Sequence, residues 1–202
     1  MKIVGGVLKR GFFHGGSIRL YERAVRYRTT RPAITDGIVY VTEDRKVADF
    51  FETMPIAANI QLGILATGVN PLPVVALSES QQLARQWTSR LSIRAIDPNA
   101  KVIELIGGNQ QKVVITKSAV QKPKLVIFDE PTGGVDVGSI VEIHRFIIKL
   151  ANTGIAVVVI SSYLPEILAL SDCILVARQG RIEEEMDSRH ATEQKIMFAA
   201  VH

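Results

Sequence analysis

The apolar positions of this chain follow two rhythms. Unbroken runs come first: Leu125-Val-Ile-Phe128 and Ile155-Ala-Val-Val-Val-Ile160 read as strands buried on both faces, as in a parallel sheet. Ile38-Val-Tyr-Val41 and Cys173-Ile-Leu-Val-Ala177 are shorter members of the same set. The second rhythm is helical. Ile56 to Leu65 carries apolar residues at helical spacing after Pro55, and Asn70-Pro-Leu-Pro73 ends it. Ser78 to Leu91 predicts a helix with Leu83 and Trp87 on one face, and Gly107-Gly108 opens another that runs to about Val120. Asp136 or Ser139 can cap a helix reaching Leu150, with Ile140, Ile143, Ile147 and Leu150 as its buried stripe. Ser139 and Glu142 have capping-box spacing, and Asn152-Thr-Gly154 is its stop signal.

Between Ser17 and Arg28 apolar and polar residues alternate instead. Ile18 and Leu20, then Val25 and Tyr27, predict two half-exposed strands meeting near Glu22-Arg23 as an antiparallel pair. Thr35-Asp36-Gly37 and Gln179-Gly180 are turn signals, the second leading into Arg181-Ile-Glu-Glu184. A short helix from about Pro165 and a peripheral one from about Ala191 complete the chain. Strand, helix, strand, short helix, strand defines an α/β class: a parallel sheet with helices on its faces. No internal repeat or linker divides it.

Polar chemistry collects where the strands stop. Asp129-Glu130 ends the most apolar strand, and Pro131 turns the chain away. Thr42-Glu43-Asp44-Arg45-Lys46 follows Val41 in the same way. Ligands of open α/β sheets sit at the carboxyl ends of the strands, so two acids there suit a magnesium-bound phosphate. The plainer reading is a buried strand ending in an ordinary acidic turn.

Composition narrows the classes. An apolar fraction of 47% with 6% aromatic residues describes an aliphatic globular domain and excludes disorder. The net charge of +4 is mild, yet Lys9, Arg10, Arg19, Arg23, Arg26, Arg28 and Arg31 crowd the first part of the chain. That cluster reads as a solvated face, so no nucleic-acid partner is expected. Cys173, the one cysteine, reads as a small core residue. The opening residues lack a signal-peptide pattern, and no run is long enough to span a membrane, which predicts a soluble cytoplasmic protein. His14, His144, His190 and His202 are scattered without metal-ligand spacing.

Four stretches carry a resemblance: Tyr40-Val-Thr-Glu-Asp-Arg-Lys46, Gly107-Gly-Asn-Gln-Gln-Lys112, Phe128-Asp-Glu-Pro-Thr-Gly-Gly-Val-Asp-Val-Gly138 and Ile160-Ser-Ser-Tyr-Leu-Pro-Glu166. Their order and spacing resemble the nucleotide-binding cassette of ABC transporters, in particular the second cassette of the ATPase subunits of bacterial ribose, galactose or xylose importers. The likeness spans about Gly16 to Ala200. It implies a P-loop NTPase-like fold with a small antiparallel part near the N-terminus and a helical subdomain at about 56–106. ATP and Mg²⁺ are the implied cofactors. Asp129 then resembles the Mg²⁺-supporting acid and Glu130 the general base or water-positioning residue. Glu43 falls where most cassettes carry a glutamine that senses the metal and the permease. Gly107, Gly108, Asn109 and Gln110 resemble the element that closes on ATP held by an opposing cassette, and Asp136 the acid that couples the two halves. The implied partners are permease subunits and a second cassette, on the inner face of the bacterial membrane.

The sequence also departs from the family pattern. No Gly-x-x-x-x-Gly-Lys-Ser/Thr loop occurs. In the family that loop precedes the strands at Ser17 to Arg28, so its place falls at or before Met1 and its strand beside Val126 and Ile127. The expectation is one truncated cassette over 1–202, in which Val126 and Phe128 lose pairing or packing. Such a chain would rearrange its sheet, self-associate, or carry Ile3-Val4 into the gap. Ile106 replaces the signature serine, which forfeits a bond to the γ-phosphate. Ser162 and Tyr163 stand where many cassettes carry a switch histidine. These departures predict weak or absent ATPase activity from the chain alone. They leave a second reading open, a non-catalytic cassette that docks on a permease or an intact cassette.

Overall fold

The computed structural model describes residues 1–9, 16–43, 50–67, 82, 99–105 and 107–202. The anticipated helix from Ser78 to Leu91, Ile106 and Asp44-Arg45-Lys46 lie outside the described residues or nearly so.

The sheet is built around the most apolar run. β4 (Leu125–Asp129) pairs in parallel with β3 (Ile38–Val41) on one side and with β5 (Ala156–Ile160) on the other. Val126, Ile127 and Phe128 have no exposed surface, as a strand flanked on both edges and covered on both faces requires. Here the sequence expectation is corrected: Val126 and Phe128 are fully paired and packed. The edges belong to β3 and β5 instead, each of which pairs with β4 alone among the described strands. The residues of β5 are half-buried or exposed, so β5 is not doubly buried. Nor do Ile3 and Val4 extend the sheet. Met1 to Leu8 forms successive turns, and Val4 packs on one sheet face near Tyr27, Ile38 and Ile127.

Helices cover the opposite face. α2 (Ile56–Ala66), α3 (Gly107–Ala119) and α4 (Val137–Asn152) bury Ile56, Ile60, Val113, Val114, Ile143 and Ile147 around Val126 and Phe128. Asp136, not Ser139, caps α4; its carboxylate accepts the Ser139 amide, so the Ser139–Glu142 capping box is not formed. Glu142 is engaged elsewhere, in an ion pair with the buried Lys112 of α3.

β1 (Ile18–Leu20) and β2 (Arg23–Val25) make the expected antiparallel pair, joined by Tyr21 and Glu22 in left-handed conformations, the twist that suits a two-residue hairpin. A short helix, α1 (Thr30–Thr35), stands where the sequence shows no helical rhythm, and Gly37, at φ +92°, turns it into β3.

β6 (Cys173–Arg178) departs from the parallel pattern read in the sequence. It pairs antiparallel with β7 (Arg181–Asp187) through the turn at Gln179-Gly180. α6 (Glu193–Val201) and α5 (Leu164–Leu170) cover one face only, so Ile174 and Val176 are buried while Cys173 and Leu175 point outward. Cys173 is therefore exposed rather than a core residue. Local desolvation first, and the neighbouring Glu185 carboxylate after it, push its thiol above the usual range.

Candidate functional site

The carboxyl ends of β3, β4 and β5 form one rim. Register places Tyr40 opposite Ile127 and Asp129 opposite Ile160. Because side chains alternate along a strand, Tyr40, Ile127 and Asp129 share a face, and the long phenol of Tyr40 reaches diagonally past Ile127. Its hydroxyl donates a hydrogen bond to Asp129 Oδ2. A cleft of ≈ 340 Å³ opens beside them, lined by Met1, Lys2, Ile3, Leu8, Tyr40, Asp129 and Ile160.

Glu130 leaves the strand in a left-handed conformation, φ +49°. Its amide still donates to the Ile160 carbonyl at 2.8 Å, which extends the ladder by one bond. Its side chain crosses to the end of β5, where Oε1 accepts the Ser162 amide N–H at 2.7 Å. The Ser161 hydroxyl stands 3.5 Å from Oε2 and itself accepts the Tyr163 amide N–H. The chain then turns back through Pro131 to Gly134, tied by Gly133 N–H to the Glu130 carbonyl.

That turn ends at Asp136, which brings the second candidate element into contact. Gly108, in the first turn of α3, is buried against the start of α4. A Cβ on it would lie 2.1 Å from Ser139 Oγ and 3.0 Å from Asp136 Oδ2. Asp136 accepts both the Ser139 hydroxyl, at 2.7 Å, and the Ser139 amide. The hydroxyl bond first, and the amide second, hold its carboxyl below the usual range. Gln110 donates from Nε2 to the Val102 carbonyl at 3.2 Å, and Asn109 is half-buried. Glu43 is exposed just past β3. The rim thus joins Asp129 and Glu130, and the turn after them joins Asp136 to Gly108.

Sequence reasoning did not connect Tyr40 to Asp129 or Ser162 to Glu130. The parallel register carries both contacts, and register is not written in the local pattern. The same holds for His144 and Glu166. His144 Nε2 lies 3.0 Å from Oε1 of the fully buried Glu166, linking α4 to α5.

Among the described residues no group of three His, Cys, Asp or Glu could hold a metal ion. Asp129 still fits Mg²⁺, which commonly takes one or two carboxylates and fills its shell with phosphate and water. The cleft beside it gives such ligands room. None of the helices described is long and apolar enough to cross a membrane.

A parallel sheet with acids on its carboxyl rim, helices behind it and a small antiparallel part is the architecture of an ATP-binding cassette. Solved cassettes share it. The dimeric post-hydrolysis state of the ATP-binding cassette MJ0796 bound to ADP and Pi superposes with a TM-score of 0.76 at 19% identity, covering 94% of this chain and 79% of that one. The ADP conformation of the cassette MJ1267 gives 0.75 at 20% identity, over 97% of this chain and 76% of that one. The ABC transporter family model matches residues 2–133, and the chain belongs to that family. It is 42% identical over 185 residues to the ribose import ATP-binding protein RbsA 2 of Rhizobium etli, covering 92% of this chain and 36% of that protein. It is 38% identical over 186 residues to the xylose import ATP-binding protein XylG of Pectobacterium atrosepticum, again 92% and 36%. The chain therefore spans little more than a third of the length of these relatives.

Proposed function

We propose that the chain serves as the ATP-binding component of a carbohydrate ABC importer, as a single cassette corresponding to the second, C-terminal cassette of ribose-, galactose- and xylose-type import proteins, with a helical subdomain at about 56–106. In this reading it works at the inner face of the cell membrane, docked on permease subunits and facing another cassette. The observation that carries it is the continuity of the rim. β4 delivers Asp129 and Glu130, and the turn that follows seats Asp136 against Gly108 at the start of α3.

Bound Mg·ATP supplies the γ-phosphoryl group and the cation that offsets its charge. Asp129 would hold that cation, with Glu43 as a second acid at the rim. Glu130 orients the attacking water and takes its proton. The backbone N–H groups at Gly107 and Gly108, with the positive end of the α3 dipole, face phosphate held by the opposing cassette. Asn109 and Gln110 support that helix start, and Asp136 couples the two halves.

The 202 residues contain no lysine-bearing phosphate loop, so we expect little or no turnover from this chain by itself. A second reading is favoured by the same absence and by Glu130, whose carboxylate is already engaged by the Ser162 amide. Here the chain is a non-catalytic partner that presents Gly107, Gly108 and Asp136 in trans.

Titration of a fluorescent ATP analogue with Mg²⁺ against the chain, then against its mixture with an intact cassette, separates the readings. No binding by the chain alone, with binding in the mixture tighter than that of the intact cassette by itself, supports the partner role. Binding by the chain alone, with turnover lost in Glu130→Gln, supports catalysis. No binding by the chain alone, and none in the mixture beyond that of the intact cassette by itself, overturns both.

A further inference from the structure

We propose that Tyr40 is the positioning residue of the metal-holding acid: through its hydroxyl it orients the Asp129 carboxylate toward the cleft. The inference rests on the reading of Asp129 given above, and it adds a residue which that reading does not use.

Three observations converge on the phenol. Its hydroxyl donates to Asp129 Oδ2. Its base is wedged by the N-terminal turn: a Cβ on Gly5 would come within 2.7 Å of Tyr40 Cβ and 3.1 Å of Cγ, so only glycine lets the turn lie on the ring. Gly6, at φ +71°, is held just as closely against the Thr29 carbonyl, which fixes that turn on the body of the domain. The ring is therefore clamped between backbone on one side and strand β4 on the other, and its hydroxyl meets the acid from a set direction. Met1, Lys2, Ile3 and Leu8 of the same segment line the cleft with Tyr40 and Asp129.

A carboxylate whose one oxygen accepts a fixed hydrogen bond has lost its freedom to rotate. Oδ1 is left to face a cation. Partners of this kind raise metal affinity by about 10- to 100-fold in sites where they have been removed. A phenylalanine at position 40 would fill the same volume without the bond. The hydroxyl thus matters for the acid, and the ring for packing.

The test uses Mn²⁺ alone as the probe, titrated against the whole chain and read by the electron paramagnetic resonance of free Mn²⁺. Asp129→Asn identifies the component of binding that belongs to the rim. Tyr40→Phe is expected to weaken that component by at least about tenfold with unchanged thermal unfolding. Gly5→Ala, which displaces the ring, is expected to weaken it as well. Saturation with Mn²⁺ is expected to change the near-ultraviolet tyrosine spectrum of the wild-type chain but not of Tyr40→Phe, a readout that a packing role would not move. Equal Mn²⁺ affinity in wild type and Tyr40→Phe overturns the positioning role while leaving Asp129 as the metal acid. Absence of any Asp129-dependent binding in wild type overturns the reading of Asp129, and the inference with it.

Discussion

Glu130 Oε1 accepts the amide N–H of Ser162 at 2.7 Å, so the candidate base is tied to the end of the neighbouring strand before any nucleotide arrives. The tie has a backbone counterpart. Glu130 sits at φ +49°, a region in which a side chain is strained and glycine is not. Glu130→Gly and Glu130→Ala both remove the carboxylate, but only the glycine variant relieves the backbone. Glu130→Gly is expected to be more stable than Glu130→Ala by about 1 kcal/mol in urea unfolding. Equal stabilities would mean that the left-handed turn costs nothing here.

Lys112 and Glu142 join α3 to α4, and their surroundings differ. The Lys112 side chain is 6% exposed and that of Glu142 37%, so the ammonium depends on the carboxylate far more than the reverse. Removing the acid leaves a buried cation without its partner. Glu142→Leu is expected to destabilise the fold by about 2 kcal/mol, below the range for fully buried pairs because water reaches the site. Adding Lys112→Met removes the stranded charge and is expected to restore most of the loss. A double-mutant cycle from urea unfolding reads the coupling.

Stability toward pH turns on Tyr27 and Asp36. The Tyr27 hydroxyl donates to Asp36 Oδ2 at 2.7 Å, and Arg23 pairs with the same carboxylate. Burial first, then the bond to Asp36 and its charge, pushes the Tyr27 phenol up to about 12. The Tyr27 bond first, and the Arg23 charge after it, hold the Asp36 carboxyl below its ordinary value. The signs are opposite. The raised phenol contributes stability that is complete below its unfolded value of about 10 and is lost as pH rises toward 12. The lowered carboxyl contributes stability that is complete above its unfolded value of about 4 and is lost as pH falls through the folded value. Asp36→Asn is expected to flatten the acid side of the curve and to move the alkaline loss toward pH 10. Thermal unfolding from pH 2 to 12 reads both arms, and an unchanged alkaline arm would leave burial alone as the cause of the raised phenol.

The sequence made legible whatever depends on neighbours along the chain. The run ending at Asp129, the hairpin around Glu22, the helix opening at Gly107 and the cap at Asp136 all stand as their local chemistry predicts. What failed depends on which edges and faces are covered. Val157 and Val159 are as apolar as Val126, yet β5 lies at an edge of the sheet and β4 in the centre. Cys173 sits in an apolar run that one layer of helices covers on one side only. α1 escaped notice because six residues containing a proline offer too short a period to read. At the site, Asp129 and Glu130 were readable from their strand. Their partners Tyr40 and Ser162 belong to β3 and the end of β5, and only the register of three strands brings them there.

Gly108 provides the sharpest test of how the two halves of the candidate site are joined. Two effects oppose each other in Gly108→Ala. Alanine is the better helix former, by about 1 kcal/mol in a helix interior and less in the first turn, where α3 places this residue. Against that, the new methyl would lie 2.3 Å from Ser139 Cβ and 2.1 Å from its Oγ. Rotating the hydroxyl away leaves the Cβ contact in place, so α3 and α4 must move apart. Overpacking of this kind costs about 1–3 kcal/mol, and the clash wins. Gly108→Ala is therefore expected to destabilise the fold, while Ser139→Gly in the same chain removes both offending atoms and recovers the helix-forming gain. The double variant is expected to be more stable than Gly108→Ala alone, with a coupling of at least about 1 kcal/mol in the double-mutant cycle. Additive effects would show that the start of α3 does not rest on the start of α4, and the joined rim on which the functional reading depends would come apart.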